Sequence, residues 1–210
     1  MTYRLVLLDL DSTLIQDEVI DLLAREAGRD SEVREITERA MAGEMDFVAA
    51  LQKRVSYLSG LSVKVFEKLA EEIRFSDGAL ELIEFCRLKA IPIGAVSGGF
   101  MQAVSALGLP TKLDFIRANQ LEEKDGFLTG KLVGRIIDAA AKAEALIDFA
   151  ALTEIPLAET IAIGDGANDI EMIRAAGLGI AYKAKPALRD AADKEISHSL
   201  TELIPLLRNF

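Results

Sequence analysis

The chain of 210 residues is poor in several residue types: it has one cysteine, one histidine and no tryptophan. The single cysteine, Cys86, excludes an internal disulfide framework and fits the reducing cytosol. The single histidine, His198, excludes chemistry that pairs a phosphohistidine with a second catalytic histidine, and it excludes a histidine-rich dimetal site. Pro92 stands where a cysteine-dependent phosphatase needs arginine, which excludes that catalytic role for Cys86. Because Cys86 shares a helical face with Ala79, Leu82, Ile83 and Ala90, we predict that it packs in the core.

Basic residues are outnumbered by acidic ones, 24 to 34, so the formal net charge is -10. Nucleic-acid binding depends on clustered lysine and arginine, so no nucleic-acid partner is expected. The longest uncharged stretch, Ala90–Thr111, is broken by prolines and glycines, which predicts a buried strand, a glycine turn and a short helix rather than a membrane span. The first residues, Met1–Arg4, lead into a strand and not into a signal peptide, so we expect a cytoplasmic protein without a membrane partner.

Apolar runs predict strands near residues 4–9, 91–96, 114–118, 160–163 and 178–182. Helical patterns lie between most of them, which is typical of an α/β fold with a Rossmann-like parallel sheet and helices on both faces. The first two strands are about 80 residues apart, far more than a single crossover needs. We therefore predict a small helical cap, residues 16–75, inserted after the first strand into a catalytic core of residues 1–15 and 76–210.

Two carboxylates, Asp9 and Asp11, follow the apolar run Leu5–Leu8 directly. In open α/β sheets, the groups just beyond the carboxyl end of a strand line the binding crevice. The two acids are therefore candidates for chemistry, although a solvated turn at the end of a strand would have the same local sequence.

A second polar turn, Ser97-Gly98-Gly99, follows the predicted strand 91–96. Glycines let the backbone approach an oxyanion closely, and a following helix would offer free N–H groups to it. Ser97 can add a hydroxyl donor. The turn is a candidate phosphate-binding segment.

A third polar turn, Gly164–Asp169, follows the strand 160–163 and nearly matches a dinucleotide-binding fingerprint. Asp169 replaces the last glycine of that fingerprint, and Asp165 would repel a pyrophosphate. Two acids on one turn suit Mg²⁺ instead, because this ion prefers oxygen ligands.

A fourth glycine-containing segment, Gly126–Lys131, resembles a P-loop only superficially. Its glycines are one residue too close, and Leu132 stands where serine or threonine belongs. We predict a hairpin around Lys124-Asp125-Gly126 instead.

Taken in order, these segments resemble the haloacid-dehalogenase superfamily of Mg²⁺-dependent phosphotransferases, and within it the phosphoserine phosphatases. The resemblance covers almost the whole chain. It is carried by Asp9–Leu14, Glu18, Phe47–Val55, Val96–Phe100, Lys142, Gly164–Asp169 and Ala184-Lys185-Pro186. Leu10 is a mild departure, since many members of the superfamily have phenylalanine there.

The resemblance implies a role for each matching residue. Asp9 would be the nucleophile, and Asp11 would be the general acid and base. Phosphate would be bound by Ser97, Gly98 and Lys142, although Lys142 by its periodicity alone is typical of a solvated helix face. The amino-acid part of the substrate would contact Glu18, Arg54 and Asn168. The Mg²⁺ cofactor would be held by Asp9, the backbone carbonyl of Asp11 and Asp165, with Asp169 close behind.

The activity implied is hydrolysis of O-phospho-L-serine to L-serine and phosphate through an aspartyl-phosphate, the last step of serine biosynthesis. Two alternatives stay open at this point. The same site could act on another small phosphorylated metabolite or pass the phosphoryl group to homoserine, or the chain could be a binding module that has lost catalysis.

Overall fold

The computed structural model describes residues 3–41 and 44–207. Its strands are β1 (Leu5–Asp9), β2 (Ile93–Phe100), β3 (Phe115–Lys124), β4 (Phe127–Val133), β5 (Thr160–Gly164), β6 (Leu178–Tyr182) and β7 (Lys194–Ile196). Its α-helices are α1 (Val19–Glu26), α2 (Asp30–Met41), α3 (Phe47–Ser56), α4 (Val65–Glu72), α5 (Ala79–Leu88), α6 (Met101–Ala106), α7 (Ala139–Leu152), α8 (Ile170–Ala175) and α9 (Pro186–Arg189).

The described strands form one sheet in the order β4-β3-β2-β1-β5-β6-β7. All neighbouring pairs are parallel except β3 and β4, which are antiparallel. The central strand β1 lies between β2 and β5, so the order of the strands along the chain changes direction at this point. Crevices form at the carboxyl ends of strands at such a point.

Both faces of the sheet are covered, as predicted. Val6 and Leu8 of β1 pack in a core cluster with residues of α5 and α6, whereas Leu5 and Leu7 pack in a second cluster with residues of α7 and α8. Because side chains alternate across a strand, the two clusters lie on opposite faces. The uninterrupted apolar run before Asp9 is thus explained by burial on both sides.

The structure differs from the predicted elements at β2 and β7, and it confirms one predicted turn. β2 continues through Ser97-Gly98-Gly99 to Phe100, and the following helix begins at Met101, so the glycines belong to the end of the strand. The hairpin at Lys124-Asp125-Gly126 is confirmed, with Asp125 and Gly126 both in the left-handed region. β7 was not predicted, because its three residues are mostly exposed and carry no apolar run.

Residues 16–75 contain the four helices α1–α4 and are called the helical insertion below. The two chain segments that enter and leave it are paired: the Gln16 N–H donates to the carbonyl of Arg74 at 2.9 Å, and the Ser76 N–H donates to the carbonyl of Leu14 at 3.0 Å. Cys86 is buried on α5, as predicted, whereas His198 is exposed.

The helical insertion is also attached to the β3–β4 hairpin. The Gly60 N–H donates to the carbonyl of Leu128 at 2.8 Å, and the Leu128 N–H donates to the carbonyl of Leu61 at 2.9 Å.

Across the described residues, helices are too short or too polar to traverse a bilayer.

Candidate active site

Asp9 ends β1 and is 4% exposed. Its Oδ1 accepts a hydrogen bond from the Leu10 N–H at 2.7 Å and lies 2.9 Å from Nζ of Lys142. Among the described residues, both polar contacts of this carboxylate fall on Oδ1, which leaves Oδ2 for a reaction partner. Burial raises the pKa of Asp9, the carboxylate of Asp169 raises it further, and Lys142 acts in the opposite direction.

Lys142 lies in the first turn of α7 and is fully buried, so its periodicity, typical of a solvated lysine, is misleading here. Its Nζ is 2.9 Å from Asp9 and 2.7 Å from Oδ1 of Asp169. Burial alone would lower the pKa of Lys142, but the two carboxylates more than offset this and raise it. An ammonium group has three donors, so one remains for a further anion.

Asp11 lies in the wide turn after β1, where Ser12 takes a left-handed conformation with φ of 57°. Its Oδ1 accepts from the Val19 N–H at 3.4 Å. Burial raises the pKa of Asp11 to about 8, and the nearby carboxylate of Glu18 contributes in the same direction. The raised pKa favours the protonated form of Asp11, which a general acid requires.

The loop after β5 brings two further carboxylates to Asp9. One ligand oxygen from each of Asp9, Asp165 and Asp169 lies within 4.8 Å of the others. Burial raises the pKa of Asp165 to about 6. Nζ of Lys185 lies 3.5 Å from Oδ2 of Asp165, and its positive charge acts in the opposite direction on this pKa. Three buried carboxylates so close together carry more negative charge than Lys142 and Lys185 balance, which suits a hard divalent cation with oxygen ligands.

Asp169 differs from the other two acids because both its oxygens are already bonded. Oδ1 accepts from Lys142 at 2.7 Å, while Oδ2 accepts from the N–H groups of Asp165 and Gly166 at 3.2 and 3.1 Å. A Cβ on Gly164 would collide with this carboxylate, which explains the glycine there. Asp169 thus orders the loop that carries Asp165.

Ser97 and Gly98 lie at the end of β2, next to Asp9, because Asp9 is in register with Val96. The hydroxyl oxygen of Ser97, a buried residue, accepts from the Gly99 N–H at 2.7 Å. Gly98 lines the pocket described below. The candidate phosphate-binding residues are therefore adjacent to the candidate nucleophile.

A pocket of about 760 Å³ opens above these groups. One side is formed by the strand ends, with Asp9, Asp11 and Asp165, and the other side is formed by the helical insertion. The insertion contributes Glu18, Ile20, Asp21, Thr37, Ala40, Met45, Phe47, Leu51 and Arg54. The pocket combines a charged floor with a roof of apolar side chains that also carries Glu18, Asp21 and Arg54.

The candidate substrate residues face this pocket. Glu18 stands at the N-terminus of α1, where its Oε1 accepts from the hydroxyl of Ser12 at 2.8 Å. The half-buried Arg54 donates from Nη1 to Oγ1 of Thr37 at 3.5 Å, and its Nε is buried without a hydrogen-bond partner. Burial lowers the pKa of Arg54, against the effect of Asp21 and Glu18. Asn168 lies on the opposite wall, in the loop after β5.

Sequence reasoning missed three contributions. Lys185 was part of the resemblance without a role, and it pairs with Asp165. Gly99 leaves room for Asp11, since a Cβ would lie 2.5 Å from Oδ2 of that residue. Asn119 bonds to the Gly98 carbonyl and carries no local sequence signal, because its partners are 21 and 18 residues away in the chain.

The chain is thus an α/β protein with a pocket at the carboxyl ends of its parallel strands. The pocket contains a cluster of carboxylates that can bind a cation. The model of the haloacid dehalogenase-like hydrolases matches residues 3–177. The chain belongs to this hydrolase family, as its motifs indicated.

Curated relatives are similar over almost the whole chain. The phosphoserine phosphatase of Streptococcus thermophilus is 48% identical over 204 residues, which are 97% of this chain and 95% of that protein. Phosphoserine phosphatase SerB2 of Mycobacterium tuberculosis is 48% identical over 206 residues, covering 98% of this chain and 50% of the relative. The phosphoserine phosphatase of Streptomyces coelicolor is 50% identical, covering 92% and 47%. The chain thus spans about half the length of the last two relatives.

Solved structures show the same fold. A substrate-bound phosphoserine phosphatase complex superposes with a TM-score of 0.90 at 41% identity, covering 99% of this chain and all of the other. A phospho-aspartyl intermediate analogue of phosphoserine phosphatase gives 0.89 at 42% identity with the same coverage.

Proposed function

We propose that this chain is an Mg²⁺-dependent phosphatase that hydrolyses O-phospho-L-serine to L-serine and phosphate through an aspartyl-phosphate on Asp9. The observation that carries the proposal is the arrangement at the end of β1: Oδ1 of Asp9 is held by Lys142 and the Leu10 N–H, Asp11 follows two residues on, and the carboxylates of Asp165 and Asp169 lie close to that of Asp9. The names of the relatives and of the two solved structures support the same substrate and intermediate.

In the first step, Oδ2 of Asp9 attacks phosphorus and the bond between phosphorus and the serine oxygen breaks. The leaving oxygen takes the carboxyl proton of Asp11, which yields the serine hydroxyl. In the second step, the Asp11 carboxylate takes a proton from water, whose oxygen attacks phosphorus and displaces Asp9. Phosphate leaves, and Asp11 has regained its proton.

Phosphoryl transfer depends mainly on positioning and on charge stabilisation. The hydroxyl of Ser97, the N–H of Gly98 and the remaining donor of Lys142 would contact the phosphoryl oxygens. Asp9, Asp165 and the backbone carbonyl of Asp11 would hold Mg²⁺, with Asp169 orienting the loop. When bound, the cation would supply positive charge that lowers the pKa of Asp9 and offsets the charge of the phosphate.

Substrate choice would depend on the helical insertion. A phosphoserine molecule carries an ammonium and a carboxylate beyond the phosphate, and Glu18 and Arg54 offer the opposite charges on the pocket wall. The unpartnered Nε of Arg54 supports an anionic ligand there, because a buried donor without a partner costs free energy until a ligand bonds to it. We propose that residues 16–75 act as a cap that covers the bound substrate and excludes water. The one cysteine of the chain is a buried free thiol, which fits the reducing cytosol that we propose as the location of the enzyme.

The experiment is a phosphate-release assay on purified protein, with Mg²⁺ and separately with excess chelator. Phosphoserine, phosphothreonine, phosphoethanolamine and sugar phosphates serve as substrates, and homoserine is added in a parallel series. We expect phosphate release from phosphoserine only with Mg²⁺, and a much smaller rate with phosphoethanolamine, which lacks the carboxylate. Full activity in chelator, or preference for a sugar phosphate, would refute the proposal. Transfer to homoserine without phosphate release would favour the phosphotransferase alternative.

A further inference from the structure

Asn119 of β3 is a polar residue in the interior, with 2% of its surface exposed. Its side-chain amide bonds in both directions: Nδ2 donates to the carbonyl of Gly98 at 2.8 Å, and Oδ1 accepts from the Ile137 N–H at 2.9 Å. Asn119 does not line the pocket. Its amide lies behind the site and connects two backbone segments that are distant in sequence.

The first segment is the irregular end of β2. The register of β2 on β3 runs regularly to the pair Ser97 and Ala118, and then jumps to the pair Phe100 and Asn119. Gly98 and Gly99 therefore bulge out of the ladder and have no register partners on β3. Carbonyls in the protein interior need a hydrogen-bond partner, and the Asn119 amide supplies one to the part-buried Gly98 carbonyl. The bulge re-aims the backbone at the pocket, as β-bulges next to active sites commonly do.

The second segment leads into α7. Ile137 precedes Asp138, whose side chain caps the helix by accepting from the Ala141 N–H at 2.9 Å. The carbonyl of Asp138 accepts from the Lys142 N–H at 2.9 Å, in the first turn. Fixing the Ile137 N–H therefore fixes the start of the helix from which the side chain of Lys142 reaches Asp9.

We infer that Asn119 is a positioning residue that sets the distance between the Gly98 N–H and Lys142, the two parts of the phosphate clamp that come from different elements. The inference rests on the proposed function, because it assumes that these groups bind the phosphoryl oxygens. Asn119 itself touches no substrate atom. Its loss should weaken contacts to phosphate and leave the contacts of Glu18 and Arg54 with the amino-acid part unchanged.

The test compares Asn119→Ala with a control of matched burial, Thr160→Val. Thr160 is also fully buried and bridges two backbone groups, the Leu157 carbonyl at 2.8 Å and the Gly177 N–H at 3.4 Å. It lies at the amino end of β5, whereas the site lies at the carboxyl end. The measurements are the inhibition constant of inorganic phosphate, kcat and KM for phosphoserine and an aryl phosphate, and the melting temperature.

For Asn119→Ala we expect the inhibition constant of phosphate to rise, and kcat to fall, by about tenfold to a hundredfold. KM should rise by the same factor for both substrates, because both are bound through the phosphate. Thr160→Val should lower the melting temperature without changing the phosphate constant. Phosphate affinity in Asn119→Ala equal to that in Thr160→Val would overturn the inference.

Two further measurements make the result decisive. Asn119→Ser keeps a hydroxyl that is too short to bridge both partners, so the same kinetic changes are expected, and this variant replaces Asn119→Ala if the latter does not fold. The wild type is tested in parallel. If it releases no phosphate from phosphoserine, the proposed function fails, whereas normal wild-type turnover with unchanged phosphate affinity in both Asn119 variants refutes the positioning role alone.

Discussion

Gly99 lies against the carboxyl group of Asp11 so closely that a Cβ on the glycine would be 2.5 Å from Oδ2 of the aspartate. The same Cβ would be 3.0 Å from Oγ of Ser97, to which the Gly99 N–H donates. Real Cβ atoms do not approach other atoms to 2.5 Å, so one of the groups would have to move. The general acid of the proposed mechanism thus has its place only because residue 99 has no side chain.

Replacing Gly99 by alanine should therefore displace Asp11. We expect Gly99→Ala to lower kcat by about 10²-fold or more, because general acid–base catalysis contributes about 10² to 10⁴. The loss should be smaller for an aryl phosphate, whose leaving group needs less protonation. Steady-state kinetics on both substrates measures this, and far-ultraviolet circular dichroism shows whether the fold is retained. Unchanged kcat in a folded variant would contradict the prediction that the close contact with Gly99 sets the catalytic position of Asp11.

Asp9→Asn should abolish turnover and leave the protein folded, because the amide has the volume of the carboxyl group but cannot attack phosphorus. Acid quenching of the wild type during turnover of labelled phosphoserine should trap the label, and peptide mapping should place it on Asp9. A label on Ser12 or Ser97, or near-normal turnover of Asp9→Asn, would exclude the aspartyl-phosphate.

The strand ends could be read from the sequence because each one is marked twice, by an apolar run and by the polar turn that follows it. This double mark predicts that Asp9, Ser97 and Asp165 lie at the same edge of the sheet. The position of Lys142 could not be derived from the pattern, because the alanine-rich α7 shows little contrast between its faces. Only the tertiary packing buries this lysine between Asp9 and Asp169.

Two other features had no local signal. β2 continues through Ser97-Gly98-Gly99, although glycines usually end strands, because the bulge is held by the distant Asn119. β7 is short and mostly exposed, and it forms through pairing with β6. In both cases, long-range backbone pairing decided what the local composition left open.

Cys86 should be a probe of unfolding. Burial raises the pKa of its thiol from 9.0 to about 12. Below pH 9 the thiol is protonated in both the folded and the unfolded state, so Cys86 adds no pH dependence to the free energy of unfolding. Between pH 9 and pH 12 only the unfolded state loses the proton, and stability falls as the pH rises.

We therefore expect no alkylation of the native protein by iodoacetamide at pH 9 and complete alkylation in denaturant. The unfolding free energy of the wild type should fall by about 1 kcal/mol more between pH 8 and pH 10 than that of Cys86→Ala. Chemical denaturation at the two pH values gives this difference. Rapid alkylation of the native protein would contradict the buried position.

Gly130 of β4 packs against the end of α3, where the hairpin contacts the helical insertion. Its φ is +82°, and a Cβ there would be 3.0 Å from Cβ of Ser59 and 3.1 Å from the carbonyl oxygen of Ser56. Gly134 is a matched control, since its φ is +80° and a Cβ would meet nothing within 4 Å. Alanine at Gly134 should cost about 1 to 2 kcal/mol for the left-handed conformation.

Alanine at Gly130 should cost this amount and about 1 to 3 kcal/mol more, because the added methyl group pushes the end of α3 away from the hairpin. Urea unfolding of both variants measures the difference. Equal losses would show that the insertion can shift away from the hairpin without cost, and the close contact would then have no energetic importance.

Substrate choice is assigned to Glu18 and Arg54. A zwitterionic amino-acid moiety needs an anion for its ammonium group and a fork of donors for its carboxylate, and arginine supplies that fork. The buried Nε of Arg54 has no partner in the described structure, so the guanidinium is ready for a carboxylate. Removing it leaves the substrate carboxylate unpaired in the pocket, which should cost about 2 to 5 kcal/mol in transition-state stabilisation.

Arg54→Ala should therefore lose kcat/KM for phosphoserine by orders of magnitude and change kcat/KM for an aryl phosphate little, because the aryl ester makes neither contact. Glu18→Gln should show the same bias. Lys53→Ala is the control, since it removes a positive charge from the same helix at an exposed position beside Tyr57. We expect it to leave both rates near those of the wild type. Equal losses on the two substrates in Arg54→Ala would mean that the arginine holds the helical insertion in place rather than the amino acid, because only a contact with the carboxylate can separate phosphoserine from a phosphate ester that lacks one.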